Sequence, residues 1–387
     1  MKFLIQIPQL IYAGAEKVLV HFANDLVSRG HDVEILESYD RGLLKSKFDE
    51  RVTFHCICSK EYSKKYYASF EEIKKEKNPL QKLEKCGKLA FSKIVGYRKF
   101  AEKLTAKYYK EKQFDVAINY LETESPRFLL NKICARKYIQ WCHIDVANLD
   151  NPKIMDEKIP YMEKMDSIVC VAESVKNSFI ERYPQLKDKT YVIYNFFDVN
   201  DIMKKAEEPF VYRAAKSGVP VLLSVGRMTP QKQYLRFLNV LYRLKTEGIV
   251  FQWYILGDGQ EKEKIEEKIK DFHLEKFVFL EGISDNPYKY MKNCDLFVLP
   301  SGWEGFPTVT VEAKVLGCPV LATDVSGISE QLVNGKTGWI VDNDENSLYE
   351  GLKYLLEHPE IRCKLCLNHM KQILDSEEKY QRFIRLC

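Results

Sequence analysis

Strand-like and helix-like segments alternate along this chain, and the alternation runs through twice. No other feature restricts the fold as much. Lys2–Pro8 reads as a buried strand, followed by the loop Gln9–Ala13. Val18, Leu19, Phe22, Ala23 and Leu26 then recur at helical spacing, Gly30 ends that helix, and Val33–Leu36 opens a second strand. Phe114–Tyr120, Tyr138–Cys142, Ser167–Val171 and Tyr191–Tyr194 read as further short strands. The polar stretch 199–218 reads as a linker, after which the pattern restarts at Val221–Val225. Helix Leu235–Leu244, strand Phe251–Leu256, loop Gly257-Asp-Gly259, helix Gln260–Phe272, strand Phe277–Leu280 and strand Asp295–Pro300 follow. Strands separated by helices pair in parallel. An α/β protein of two domains is expected, and 387 residues are too many for one ordinary core.

The most informative segment follows the Asp295–Pro300 strand. It runs Ser301-Gly-Trp-Glu-Gly-Phe-Pro-Thr-Val-Thr-Val-Glu312, with Glu304 and Glu312 eight residues apart. Thr308 to Leu316 reads as a helix that Gly317 ends and Pro319 keeps ended. Pro307 suits the first helical position, which leaves the amides near Thr308, Val309 and Thr310 as free donors. A helix start at the carboxyl end of a strand suits an anionic group. Carboxylates on both sides of it suit a ligand rich in hydroxyls that also carries phosphate, as nucleotide sugars do. Gly226-Arg227-Met-Thr-Pro-Gln-Lys232 ends the first strand of the second half with two cations five apart. Such cations stabilise a departing diphosphate without a metal.

These residues closely resemble the E-x7-E signature of retaining glycosyltransferases of glycosyltransferase family 4. Those enzymes have the GT-B fold, two Rossmann-like parallel-sheet domains facing a central cleft. The resemblance continues through Ala313-Lys-Val-Leu-Gly-Cys-Pro-Val-Leu-Ala-Thr-Asp324 and Gly335-Lys-Thr-Gly-Trp-Ile-Val341, and is patchier in the first half. Two Glu eight apart are common; Gly305, Phe306, Pro307, Ala313, Gly317 and Pro319 around them give the match its force. The resemblance implies an acceptor-binding domain over 1–200, a nucleotide-sugar-binding domain over 201–370, and a helix over 371–387 that crosses back to the first domain. It implies that Arg227 and Lys232 clamp the diphosphate, that Glu312 takes the ribose, and that Glu304 contacts the donor sugar. Phe306, Pro307, Thr308 and Val309 carry amides toward the diphosphate, and Gly282 and Ile283 lie where the nucleobase is read. Ala13-Gly14-Ala15-Glu16 resembles the family's Gly-Gly-Ala-Glu loop with its first Gly replaced, so Gly14 is the position carried over. A single glycine there also disfavours a dinucleotide fingerprint, and with it a nicotinamide-dependent oxidoreductase.

His143, just past a strand end in Ile139-Gln-Trp-Cys-His143, resembles the family's His near the donor sugar or β-phosphate. The other reading is a capping or core His. Asn195, in Tyr194-Asn-Phe-Phe-Asp198, reads as a turn residue or a substrate contact. Glu304 and Glu312 as a glycosidase pair is the less suitable reading, because Glu312 belongs to a helix that presents phosphate-binding amides. The expected activity is metal-independent hexosyl transfer with no cofactor. The donor is a nucleotide sugar, read as a UDP-sugar, and the acceptor a glycan or lipid-linked glycan of bacterial surface polysaccharide, lipopolysaccharide or wall polymer. A nucleotide-sugar epimerase or phosphorylase on the same architecture, and a non-catalytic nucleotide-sugar-binding protein, are the alternatives.

Charge bears on the partner. Between Lys60 and Lys112 stand 15 Lys and one Arg against seven Glu, while the whole chain carries a net charge of only +4. This basic helical region, 60–112, is interleaved with Tyr66, Tyr67, Phe70, Phe91, Tyr97, Phe100, Tyr108 and Tyr109. It reads either as a surface for an anionic membrane or as a solvated helical face with its aromatics turned inward. Nucleic acid is not expected, since no binding module accompanies the charge. No apolar run approaches the ~18 residues of a membrane span, and Met-Lys-Phe-Leu-Ile-Gln-Ile-Pro runs straight into a strand pattern. A cytoplasmic protein, peripheral on the inner face of the membrane, is the expectation. The eleven cysteines read as scattered reduced thiols. Cys363-Lys-Leu-Cys366, with His369 close by, lacks the partner pair a zinc site needs.

Overall fold

Runs such as Phe3-Leu-Ile-Gln-Ile7 are apolar on both faces, as a strand covered on both sides requires. In the computed structural model, which describes residues 1–149, 152–214, 216–366 and 370–387, these runs build two parallel sheets. The first holds β1 (Lys2–Ile7), β2 (Asp32–Tyr39), β3 (Thr53–Cys58), β4 (Gln113–Asn119), β5 (Cys134–Cys142), β6 (Ser167–Cys170) and β7 (Thr190–Val192) in the order β3-β2-β1-β4-β5-β6-β7. The second holds β8 (Val221–Val225), β9 (Gln252–Leu256), β10 (Val278–Gly282), β11 (Leu296–Leu299), β12 (Val320–Thr323) and β13 (Trp339–Val341) in the order β10-β9-β8-β11-β12-β13. Every registered pair is parallel. Strand order reverses between β1 and β4 in one sheet and between β8 and β11 in the other. Ligands of open α/β sheets sit in the crevice at such points.

The helix Gly14–Ser28 buries Val18, Leu19, Phe22, Ala23 and Leu26, the periodic residues of the sequence. Two expectations need correction. The 199–218 linker contains the helix Val199–Ala206, with Ile202 and Ala206 buried and Asp198 accepting from the Asp201 amide at 2.9 Å. Its few apolar residues lie on one face, which a polar average conceals. Pro307 is the cap residue of the helix Thr308–Val315 and is extended (φ −63°, ψ 113°), one place ahead of the first helical position.

The helix Ser376–Ile384 lies on the first domain. Phe383 packs among Phe3, Phe22 and Trp141 with ring centroids 5.0–5.8 Å apart. Arg29 pairs with Glu377 at 2.6 Å, and His31 shares a hydrogen bond with the Tyr380 hydroxyl at 2.8 Å. Buried Lys379 donates to the carbonyls of Asn195 and Ile373.

The basic region folds as the helices Lys60–Tyr66, Phe70–Lys75, Pro79–Phe91 and Tyr97–Tyr109. Tyr62, Tyr66, Phe91, Tyr97 and Phe100 cluster inward. The helix Pro79–Phe91 buries none of its residues. Among the described residues no helix is long and apolar enough to cross a membrane. All eleven cysteines are free. Cys363 and Cys366 are exposed, while His369 lies outside the described residues.

Candidate functional site

The carboxyl ends of both sheets open onto one cavity of about 1010 Å³. Its first-domain wall carries Gly14, Glu16 and Lys17, from the start of the helix after β1, and Glu122, His143 and Asn195, from the loops after β4, β5 and β7. Its second-domain wall carries Arg227, Lys232, Ile283, Glu304, Phe306, Pro307, Thr308, Val309 and Glu312. Of the residues singled out from the sequence, Gly282 alone lies outside this lining. It ends β10 with φ +72° and accepts from the Gly257 amide at 2.7 Å. Its left-handed backbone shapes the turn, and Ile283 beside it reaches the cavity.

Pairing of β8 with β11 brings two distant segments together. Lys232 Nζ lies 2.6 Å from Glu304 Oε1, and both side chains are largely buried. Gln231 Nε2 donates to Glu304 Oε2 at 3.2 Å and to the Trp303 carbonyl at 3.0 Å. Read from the sequence, Lys232 faces phosphate and Glu304 faces sugar. In the structure they also hold each other. Pro307 provides no side-chain cap, so the first amides of the helix Thr308–Val315 lack one. Glu312 lies one turn in, buried, and its Oε2 has no hydrogen-bond partner among the described residues. Burial pushes its pKa up, against Lys17 and the Tyr288 hydroxyl.

On the opposite wall, His143 donates its backbone amide to Glu122 Oε2 at 2.8 Å. Burial pushes the His143 imidazole down to about 3, so the ring is neutral at physiological pH. Its Nε2 has no partner among the described residues. Glu122 is buried and shifted up for the same reason, opposed by the His143 amide. Glu16 is pushed up to about 7, chiefly by burial, with Arg227 opposing and Glu122 reinforcing. Glycines let the two walls approach. A Cβ on Gly305 would lie 1.9 Å from the His143 carbonyl oxygen, and one on Gly14 would lie 3.2 Å from Thr308 Oγ1.

Among the lining residues that sequence reading did not single out are Glu16, Lys17, Glu122 and Gln231. Glu122 was findable, since it follows a strand read as Phe114–Tyr120 and strand carboxyl ends face the crevice. Glu16 stood inside the quoted Ala13–Glu16 loop. Lys17 and Gln231 carry no signal beyond their neighbours.

A second set of contacts joins the domains beside the cavity. Both carboxylate oxygens of Glu330 accept amides at 2.9 Å, from Glu173 and Ser174 at the start of the helix Glu173–Arg182. The Tyr194 hydroxyl donates to the same carboxylate, and Ser326 donates to Asp145. The next residue, Gln331, bonds the Thr310 hydroxyl and donates to the Pro307 carbonyl at 3.2 Å.

Residues 207–372 match the model of the family described as glycosyl transferases group 1. An N-acetylgalactosamine-N,N'-diacetylbacillosaminyl-diphospho-undecaprenol 4-alpha-N-acetylgalactosaminyltransferase of Campylobacter jejuni is 30% identical over 238 residues, which are 61% of this chain and 62% of that protein. The matched stretch thus spans under two thirds of that relative. An uncharacterized glycosyltransferase of Methanocaldococcus jannaschii is 28% identical over 308 residues, 75% of this chain and 71% of that one. Among solved structures, Anabaena HepE in complex with UDP-glucose superimposes with a TM-score of 0.74 at 17% identity, covering 100% of this chain and 98% of that one. At that identity the likeness concerns the fold.

Proposed function

We propose that this chain, whose residues 207–372 match the glycosyl transferases group 1 model on a GT-B fold, transfers a sugar, with retention, from a nucleotide-sugar donor. We read the donor as a UDP-sugar and the acceptor as a glycan or lipid-linked glycan of bacterial surface polysaccharide, lipopolysaccharide or wall polymer. The Campylobacter relative's name, an undecaprenol-diphosphate glycan transferase, supports that acceptor class. The observation that carries the donor reading is the arrangement of Arg227, Lys232 and the uncapped start of the helix Thr308–Val315 around one cavity, with Glu312 Oε2 unpartnered beside it.

Negative charge grows on the diphosphate as the glycosidic bond breaks. Arg227, Lys232 and the Thr308–Val309 amides face that charge, in a cleft where fixed dipoles act more strongly than in water. Their positive charge supports a metal-independent reaction. Glu312 accepts from the ribose hydroxyls. The Lys232–Glu304 pair spans the bond to be broken, the ammonium toward phosphate and the carboxylate toward the sugar. Attack comes from the same face as departure, and a phosphate oxygen of the leaving group takes the acceptor's proton. Neutral His143 orients the sugar through Nε2 without adding charge. Gly282 shapes the base-reading turn and Ile283 covers the base.

Thermal unfolding against a panel of UDP- and GDP-sugars tests the donor site, since a ligand of the folded state raises Tm. A UDP-sugar is expected to protect, with or without EDTA. Protection by none of them ends the proposal. Arg227→Ala is expected to lower kcat by about 10²–10³-fold, the loss typical of one charge-stabilising donor.

We place the enzyme peripherally on the inner membrane face, through the basic region. Leu80, Leu83 and Ile94 are 78%, 72% and 83% exposed, amid its lysines. Apolar side chains can enter the headgroup boundary while lysines meet anionic lipid. Sedimentation with phosphatidylglycerol vesicles is expected to capture the protein, and Leu80→Glu with Leu83→Glu to release it. Equal capture by neutral vesicles would remove the electrostatic part.

A further inference from the structure

Trp303 belongs to two walls. It lines the large cavity next to Glu304, and together with Asn148 it also lines a second cavity of about 340 Å³. This second space lies between the domains, with Asn148 and Ser174 on one side and Trp303, Asp324, Ser329 and Asn343 on the other. Its chemistry differs from that of the donor site. Among the described residues no lysine, arginine or histidine lines it, and Asp324 is its single charge. Arg236 stands behind the wall with its guanidinium bonded to Asn343 and the Pro300 carbonyl, so it is not presented to a phosphate there. Hydroxyl and amide groups that both donate and accept surround a half-buried indole. A sugar ring offers the complement: an apolar C–H face for the indole and a rim of hydroxyls for the polar wall.

Hydrogen bonds within the protein hold these walls in place. Asn343 Nδ2 donates to the Gly302 carbonyl at 2.6 Å, while Arg236 Nη2 donates to Asn343 Oδ1 at 2.8 Å. The Gly327 amide donates to Ser174 Oγ at 3.0 Å. Preformed walls lower the ordering cost of binding. The position is equally specific. Glu312 and Ile283 mark the nucleoside end of the donor cavity, and Trp303 adjoins Glu304 at the sugar end. The second cavity therefore continues the first beyond the point of transfer.

We propose that this cavity is a subsite for a neutral sugar residue of the acceptor, one place along from the residue that receives the transferred sugar. The acceptor is then an oligosaccharide, and a single sugar fills only part of its site. This rests on the donor-site reading above. The test uses UDP-loaded protein and neutral p-nitrophenyl glucosides, galactosides and N-acetylhexosaminides, each as mono-, di- and trisaccharide, titrated by calorimetry. At least one di- or trisaccharide is expected to bind tenfold or more tightly than its monosaccharide. Ser329→Trp, at an exposed position of the short helix Ile328–Gln331, is expected to abolish that advantage and leave the UDP-dependent rise in Tm intact. Asp324→Ala, which adds no bulk, is expected to weaken the longer ligands and not the monosaccharide. Equal affinity across lengths, no glycan binding, or an advantage that survives both substitutions would overturn the subsite. No UDP-dependent rise in wild-type Tm would instead strike the donor reading, and the subsite with it.

Discussion

Glu16 shows how much a single buried carboxylate can set. Its pKa is pushed from 4.5 to about 7, mainly because burial penalises the charge. A carboxyl whose folded value lies above its unfolded one binds its proton more tightly when folded. The stability it contributes is complete below about 4.5 and is lost as pH rises through about 7. Glu16→Gln removes the titration and keeps the shape. Melting curves from pH 4.5 to 8 are expected to show the variant losing less stability than wild type as pH rises, with the two converging at the acid end. Parallel profiles would mean that Glu16 does not carry the dependence. None of this was legible in the sequence, because both the burial of Glu16 and the charges of Glu122 and Arg227 that act on it come from segments distant in the chain. Glu304 and Glu312 were legible for the opposite reason: strand, loop, proline and helix around them are contiguous.

At the scale of elements, the short helix Ile328–Gln331 ties the start of the helix Thr308–Val315 to the other domain. Gln331 holds the loop at Pro307 and Thr310, while Glu330 caps a helix of the other domain. Loss of a cap costs about 0.5–2 kcal/mol, which corresponds to roughly 2–30-fold in a closing equilibrium. Glu330→Ala is expected to slow transfer by that factor while the UDP-dependent rise in Tm persists. Full activity would show that the contact plays no part in closure. Neither residue drew notice in the sequence, since a cap across domains leaves no local spacing. The strands show the same division. β1, β8 and β11 are apolar runs bounded by turns and could be read directly. β3, Thr-Phe-His-Cys-Ile-Cys, is an edge strand with polar residues, and its pattern is too weak to stand out.

For the whole molecule, the contacts that join the two domains include the cleft walls, the Glu330 contacts and the helix Ser376–Ile384. The last of these is structural. Phe383 is fully buried, with three aromatic neighbours from the first domain. Phe383→Ala is expected to destabilise the protein by about 3–5 kcal/mol, the range for emptying a buried phenyl site. Urea unfolding measures it, and a loss below about 1 kcal/mol would show that the site collapses around the missing ring. The crossing also sets an order of events on the ribosome. Domains ordinarily complete their folding in the order in which they are translated. Here the aromatic face of Phe3, Phe22 and Trp141 is finished by a segment made only after the entire second domain. The nascent first domain must therefore wait, with that face exposed, until synthesis has passed beyond its neighbour. Chaperones have their longest opportunity to bind during that interval.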